Sequence, residues 1–369
     1  MRWFYEASGR EPVFIFAIKI FQRLVGYQEI AVCLASALFS VLIVWATYLL
    51  GSYAFSHWVG LGAAFSMAIE RDVISEGVLG FRDEAFVFFV LLSAYGVLRS
   101  RDRASRENLV LCGLAMGGAC LTRITSVTLV LPAIGYLALL GAGSEWKLRV
   151  KSAAIVALIV AAVVSPFLVN CWITFGDPLF SLHDRTRSFQ QWFDLPTGTP
   201  MSPGQFLLSK AAAAPVGFAE TAFNGFTTYP FHYKWNGFEA WLALIGMVLF
   251  LWSFPGHLLL LVLLSSMVPY VFTWQTPRIL ELHHFRYTLQ AYPIYLIAAA
   301  LAIEQATLLV RAARLKWMVS DRRPPRRLLL KIASVPVVIV LALDPIPWTV
   351  SLRRLSHPSF ERRRAHPTG

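Results

Sequence analysis

The sequence predicts an all-α, polytopic integral membrane protein of about ten transmembrane helices, with an outer juxtamembrane helix and one sizeable outer loop region. Three observations predict it. Of the 369 residues, 57% are hydrophobic and only 15% are charged. The mean hydropathy is +0.58, and apolar runs near the roughly 20 residues that cross a bilayer recur from end to end. Finally, much of the net charge of +12 collects in short connecting segments and at the C-terminal end, as in proteins anchored on anionic lipid. This distribution excludes a soluble domain and argues against nucleic-acid binding.

Taken in order, the candidate spans are 28–50, 57–73, 84–98, 108–122, 124–142, 152–173, 237–253, 257–274, 287–309 and 332–350. The organisation that follows is an outer segment 1–27, a transmembrane core 28–173, an outer region 174–236, C-terminal spans 237–350 and a basic tail 351–369. Residues 13–26, VFIFAIKIFQRLVG, are too few to span, and Lys19 and Arg23 lie four apart on one face. That pattern suits a helix lying in the interface. Region 174–236 is rich in Gly, Pro, Trp, Phe and Tyr, too aromatic for a disordered linker. The four cysteines, Cys33, Cys112, Cys120 and Cys171, fall inside spans without a CxxC pair, so they read as small core residues.

Loop charges set the topology. Loop 99–107 carries four Arg against two acids, loop 144–151 three basic residues against one acid, and 311–331 eight against one. All three are expected in the cytoplasm. Span parity then turns residues 1–27, segment 70–84, the surroundings of Arg123, region 174–236 and loop 275–286 outward. The five acids against two Arg of segment 70–84 agree with this. The tail after 351, with five Arg and one Glu, falls outside on the same count, against the positive-inside rule.

Charges in a membrane or at a helix mouth are costly and therefore mark candidate sites. Five stretches qualify: Arg10-Glu11-Pro12, Arg82-Asp83-Glu84, Arg123, Asn170–Pro178 (NCWITFGDP) and Glu281–Pro293 (ELHHFRYTLQAYP). Each also has a plain structural reading. Asp83 and Glu84 complement a helix dipole, Arg123 snorkels, Gly176-Asp177-Pro178 makes a turn, and His283, His284 and Arg286 sit at a solvated rim. Their convergence on one side points instead to an anionic, lipid-borne substrate. Arg82, Arg123 and Arg286 would clamp phosphate, Asp83 or Glu84 would act as general base, and Tyr287 and other aromatics would position a sugar or polyprenyl chain. No His/Cys/carboxylate ligand set is evident, so no structural metal is expected. A divalent ion between Asp83, Glu84 and substrate phosphate is compatible with the pattern.

The order of these motifs resembles the GT-C superfamily of polyprenyl-phosphate-sugar-dependent glycosyltransferases, of the family 39/83 type. The likeness is in particular to bacterial and archaeal members related to protein O-mannosyltransferases and to the lipid A aminoarabinose transferase. The resemblance rests on REPVFIFAIKIFQRLVG (10–26), FRDEAFVFFVLLSAYGVLRSR (81–101), GLAMGGACLTRITSVTLVLPAIGYLALL (113–140), NCWITFGDPLFS (170–181) and FRYTLQAYPIYLIAAALAIE (285–304). It implies an outward-facing site in a bacterial or archaeal plasma membrane, a polyprenyl-phosphate sugar donor and inversion at the anomeric carbon. Carried over, Asp83 or Glu84 matches the family's second acidic site and Arg10 a candidate phosphate ligand. Arg123 and Arg286 match basic positions, and Asn170, Gly176, Asp177 and Pro178 match an outer-loop signature. The family's principal carboxylate lies in a first outer loop upstream of the Arg-Glu-Pro motif, where this chain has nine residues and Glu6. The resemblance and the parity argument therefore both expect the chain to begin inside that loop, without the first helix and its general base. Two other readings share the same features: an O-antigen polymerase or ligase, and a polyprenyl-linked glycan transporter.

Overall fold

The computed structural model describes residues 10–141, 145–192, 201–226, 239–271 and 288–319, and every regular element among them is helical. The elements that build the site come first. Helix α1 (Pro12–Val25) is followed by α2 (Glu29–Ala54), α3 (His57–Ile69), α4 (Arg71–Val78), α5 (Asp83–Asp102) and α6 (Arg106–Thr122). A 3-10 turn (Ile124–Ser126) leads into α7 (Val127–Leu140) and α8 (Trp146–Phe175). After these come α9 (Phe180–Trp192), α10 (Pro203–Ala213), α11 (Pro215–Phe226), α12 (Glu239–Phe250), α13 (Phe254–Val271) and α14 (Tyr292–Val319). The candidate span 332–350, the tail 351–369 and the loop 275–286 lie outside the described residues.

Three of these helices are long and apolar enough to cross a membrane: Glu29–Ala54, Trp146–Phe175 and the Tyr292–Ala312 part of α14. At about 1.5 Å per residue, the 26 residues of α2 measure about 39 Å, more than the roughly 30 Å hydrocarbon layer. The protein is thus an all-α, membrane-associated chain. Helices also form in region 174–236. Of these, α10 starts with a full capping box, in which the Ser202 hydroxyl accepts from the Gln205 N–H and the Gln205 side-chain oxygen accepts from the Ser202 N–H.

Small residues let the helices approach closely, as expected where apolar side chains gain little by leaving lipid. A Cβ on Gly51 would sit 2.9 Å from the Gly60 Cα, so α2 and α3 meet backbone to backbone. Gly96 holds α5 against α6 in the same way, its imaginary Cβ 2.8 Å from the Cys112 Cα. Gly113 and Gly117, one turn apart, receive Ile159 and Val163 of α8. Polar ties add direction: Thr128 donates to the Ser265 carbonyl at 2.9 Å and Tyr136 to the Phe254 carbonyl at 3.0 Å, joining α7 to α13. At opposite ends of α3, Tyr292 donates to Glu70 at 2.9 Å and Ser56 to Glu304 at 2.5 Å, so α14 runs antiparallel along it.

Two compact units make up the chain. The first, Met1–Ala306, contains all the contacts above, and the second is Thr307–Gly369. The described part of the second is helical through Val319.

The helix pair α5–α6 defines two ends. At the C-terminal end of α5, Tyr53 donates to Asp102 at 2.9 Å, Arg101 pairs with Asp102 at 3.1 Å and covers the Phe254 ring at 4.5 Å. There too Asn108 closes the loop by donating to the Arg99 and Arg103 carbonyls at 3.2 and 2.8 Å. The N-terminus of α5 is 20 residues, or about 30 Å, away. It carries the acids and gathers the candidate site.

Candidate functional site

The N-terminus of α5 is prepared by a tight turn. Gly80 has φ +77°, a left-handed conformation, and a Cβ there would come 2.8 Å from Val32. Ser36 of α2 donates to the Phe81 carbonyl at 3.1 Å and secures the turn. Arg82 then takes the N-cap position, and Asp83 and Glu84 enter the first turn, 2% and 0% exposed. Buried carboxylates are costly unless charge and hydrogen bonds compensate them. The helix dipole supplies part of this. For Asp83 the rest comes from Arg123, whose guanidinium pairs with it while both side chains are less than 5% exposed.

Arg123 reaches that position because α6 stops there. Its backbone is extended, φ −150° and ψ 113°, between the last turn of α6 and the 3-10 turn. Ser126 holds the break by donating its hydroxyl to the Ala119 carbonyl at 2.9 Å. The guanidinium lies 5.4 Å from the centre of the Phe86 ring, one turn along α5 from Asp83.

A second pair interlocks with the first. Arg82, 27% exposed, donates to Glu11 at 2.6 Å, and the Glu11 side chain is fully enclosed. The other carboxylate oxygen of Glu11 accepts from the Ile124 N–H at 3.0 Å and from the Ser181 hydroxyl at 3.2 Å. Since Arg82 and Asp83 are chain neighbours, as are Arg123 and Ile124, the contacts close a ring. Glu11, Arg82, Asp83 and Arg123 alternate in sign and their formal charges cancel.

Ser181 arrives through the joint between α8 and α9. Gly176 ends α8 in the left-handed conformation, φ +72°. Asp177 turns the chain by accepting from the Leu179 N–H at 2.9 Å, and its other oxygen meets His183 Nδ1 at 2.5 Å. Phe175 and Phe180 stack across the turn with ring centres 3.9 Å apart. Ser181 in the first turn of α9 is thereby set against Glu11.

The structure thus brings Arg82, Asp83, Glu84 and Arg123 together, with the Gly176-Asp177-Pro178 turn connected through α9. Arg10 is exposed at the start of α1, whereas its neighbour Glu11 is buried. Asn170 is half-buried on α8 and Pro178 is exposed. His283, His284, Arg286 and Tyr287 lie outside the described residues. Sequence reasoning did not single out Ser181, nor Glu11 as a junction. The signal for Glu11 was present in Glu11-Pro12, an acid placed immediately before the helix-starting proline.

Two further titratable groups, half-buried Glu70 and buried Lys210, lie apart from this array. Glu70, between α3 and α4, has its carboxyl pushed above the usual range by burial, with the Tyr292 hydrogen bond opposing that shift. On α10, burial pushes the Lys210 ammonium down to about 8. Among the described residues no group of three or more His, Cys, Asp or Glu is arranged to hold a metal ion. Asp83 is turned to Arg123.

The family model for dolichyl-phosphate-mannose-protein mannosyltransferases matches residues 9–170, less than half of the chain. That stretch includes Glu11, Arg82, Asp83, Glu84 and Arg123. No curated protein matches the chain. Among solved structures, the archaeal oligosaccharyltransferase AglB from Archaeoglobus fulgidus, in complex with an inhibitory peptide and a dolichol-phosphate, superposes with a TM-score of 0.55 at 15% identity, over 98% of this chain and 52% of that one. Its apo form gives 0.55 at 16% identity with the same coverage. ArnT from Cupriavidus metallidurans in the apo state gives 0.52 at 14% identity, over 86% of this chain and 56% of that one. The chain spans about half the length of the structures it matches. It shares with these structures a GT-C-like arrangement of helices.

Proposed function

We propose that this protein is a membrane glycosyltransferase that moves a sugar from a polyprenyl-phosphate donor to a lipid, glycan or protein acceptor on the outer face of the membrane. The observation that carries the reading is the pair of interlocked ion pairs, Glu11–Arg82 and Asp83–Arg123, in which only Arg82 is partly exposed, where four chain segments meet. Buried charge of this density is retained where chemistry needs it. The arginine-rich loop 99–107 lies at the far end of α5. With that end in the cytoplasm, the acidic end faces outward.

The chemistry proposed is a single displacement with inversion. A carboxylate of the α5 first turn, Asp83 or Glu84, takes the proton of the acceptor hydroxyl or amine as its oxygen or nitrogen bonds to the anomeric carbon. The bond from that carbon to the phosphate oxygen breaks, and the electron pair leaves with polyprenyl phosphate. Arg82, partly exposed beside the pair, meets the phosphate, where a planar guanidinium binds two oxygens at once. Arg123 holds the Asp83 charge and faces the growing negative charge of the leaving phosphate.

Membranes containing the protein, supplied with radiolabelled polyprenyl-phosphate monosaccharides, test this. Transfer of label to an acceptor, with release of polyprenyl phosphate, is the expected result. Transfer only of preassembled lipid-linked oligosaccharide would replace the reading with a ligase or oligosaccharyltransferase one.

A further inference from the structure

We propose that Glu11 is the positioning residue of this site: it sets the Arg82–Asp83–Arg123 array in place and seats α9 against it, a role that rests on the glycosyl-transfer reading of the array. Glu11 gathers donors from three segments far apart in the chain, 71, 113 and 170 residues away. Two of them are the immediate neighbours of the Asp83–Arg123 pair. The Arg82 bond fixes the residue before Asp83. The Ile124 bond fixes the peptide after Arg123, at the extended link that aims the guanidinium sideways out of α6. One carboxylate therefore holds both flanks of the ion pair.

The third donor extends this to the outer region. Ser181 is 8% exposed and stands in the first turn of α9, just past the Gly176-Asp177-Pro178 turn. Its hydroxyl ties that segment to the same oxygen that orders Ile124.

The geometry of α1 shows where Glu11 directs its side chain. Glu11 occupies the N-cap of α1 but makes no side-chain capping bond there, and Pro12 at the next position has no N–H to offer. The carboxylate instead crosses to α5, the 3-10 turn and α9. It is enclosed by them and by α1, which places it behind the array and makes its role one of orientation.

Three variants of the full chain in nanodiscs test this, each read by hydrogen exchange and by steady-state sugar transfer. Glu11→Ala removes all three acceptor contacts: it is expected to speed exchange at the Ile124 amide and in α9, and to lower kcat about 10- to 100-fold, with KM for the polyprenyl-phosphate sugar within about threefold. Glu11→Gln keeps an oxygen for Ile124 and Ser181 but loses the charge that pairs with Arg82. It should therefore keep amide protection while kcat still falls. Ser181→Ala, the mildest change, should loosen α9 alone with a smaller loss of kcat, and it carries the test if the Glu11 variants do not fold. Unchanged exchange at Ile124 and α9 in Glu11→Ala, or in Ser181→Ala unchanged α9 exchange, would overturn the proposal. So would altered exchange with undiminished kcat. If the parent protein transfers no sugar from any polyprenyl-phosphate donor, the functional reading fails, and with it the catalytic part of this proposal, while exchange still decides what Glu11 holds in place.

Discussion

Arg123 pairs with Asp83 although each is less than 5% exposed, and the two stand at ends of consecutive helices that run in opposite directions. Such a pair is expensive to build and more expensive to break, because removing one member leaves the other as an uncompensated buried charge. Arg123→Gln is therefore expected to lower stability by about 3–5 kcal/mol. In the double variant Asp83→Asn/Arg123→Gln the loss should be clearly smaller than the sum of the single losses. Thermal unfolding in detergent measures all three.

Close glycine packing makes a sharper structural prediction. Gly96→Ala drives a methyl group to 2.8 Å from the Cys112 backbone, at a cost of about 1–3 kcal/mol. Gly135→Ala, in the middle of α7 with nothing within 4 Å of the new Cβ, should instead stabilise by up to about 1 kcal/mol. Unfolding midpoints of the two variants should move in opposite directions.

Glu70 and Lys210 give opposite pH dependences. The folded chain raises the Glu70 pKa above its ordinary 4.5, so it binds that proton more tightly than the unfolded chain does. Stability from this group is then lost as pH rises from the unfolded toward the folded value. Glu70→Gln should remove that loss and be the more stable form at neutral pH. Lys210 is the reverse case, its pKa depressed from 10.5 to about 8, so the folded chain disfavours the charged form. Stability should rise between about pH 8 and 10, and Lys210→Met should flatten that rise. Denaturation followed across pH for each variant separates the two contributions.

The joint between α8 and α9 supplies another test. Asp177→Ala deletes both the bond from the Leu179 N–H and the contact with His183. The expected cost is about 1–2 kcal/mol, with faster proteolysis at the joint than in the parent chain.

Much of this architecture was legible in the residues. Apolar runs predict helices wherever burial or lipid must be satisfied along the whole segment, and α2 and α8 follow those runs closely, whereas α14 starts later than the run 287–309 and continues past it. The break at Arg123 was legible as a turn between two apolar stretches. Region 174–236 was harder, because its helices α9, α10 and α11 are short and mix aromatic with polar residues. Even so, the Ser202-Pro203-Gly204-Gln205 start of α10 is a capping signature. At the site, sequence located the Arg82-Asp83-Glu84 stretch, Arg123 and Arg10-Glu11-Pro12, but not which of these charges pair. Arg10 and Glu11 are chain neighbours, and a charge pattern does not say which of two adjacent residues turns inward. That depends on Ile124 and Ser181, more than a hundred residues away. Ser181 carries no charge, and although it ends the quoted stretch 170–181, nothing there gave it a role of its own.

The proposed transfer depends on the first turn of α5 for its chemistry. Its most direct test is the initial rate of sugar transfer from a polyprenyl-phosphate donor by Asp83→Asn and Glu84→Gln, measured at matched amounts of folded protein. At least one of them should lose about 100-fold or more in kcat while still binding the donor. Parent-level rates in both would contradict it.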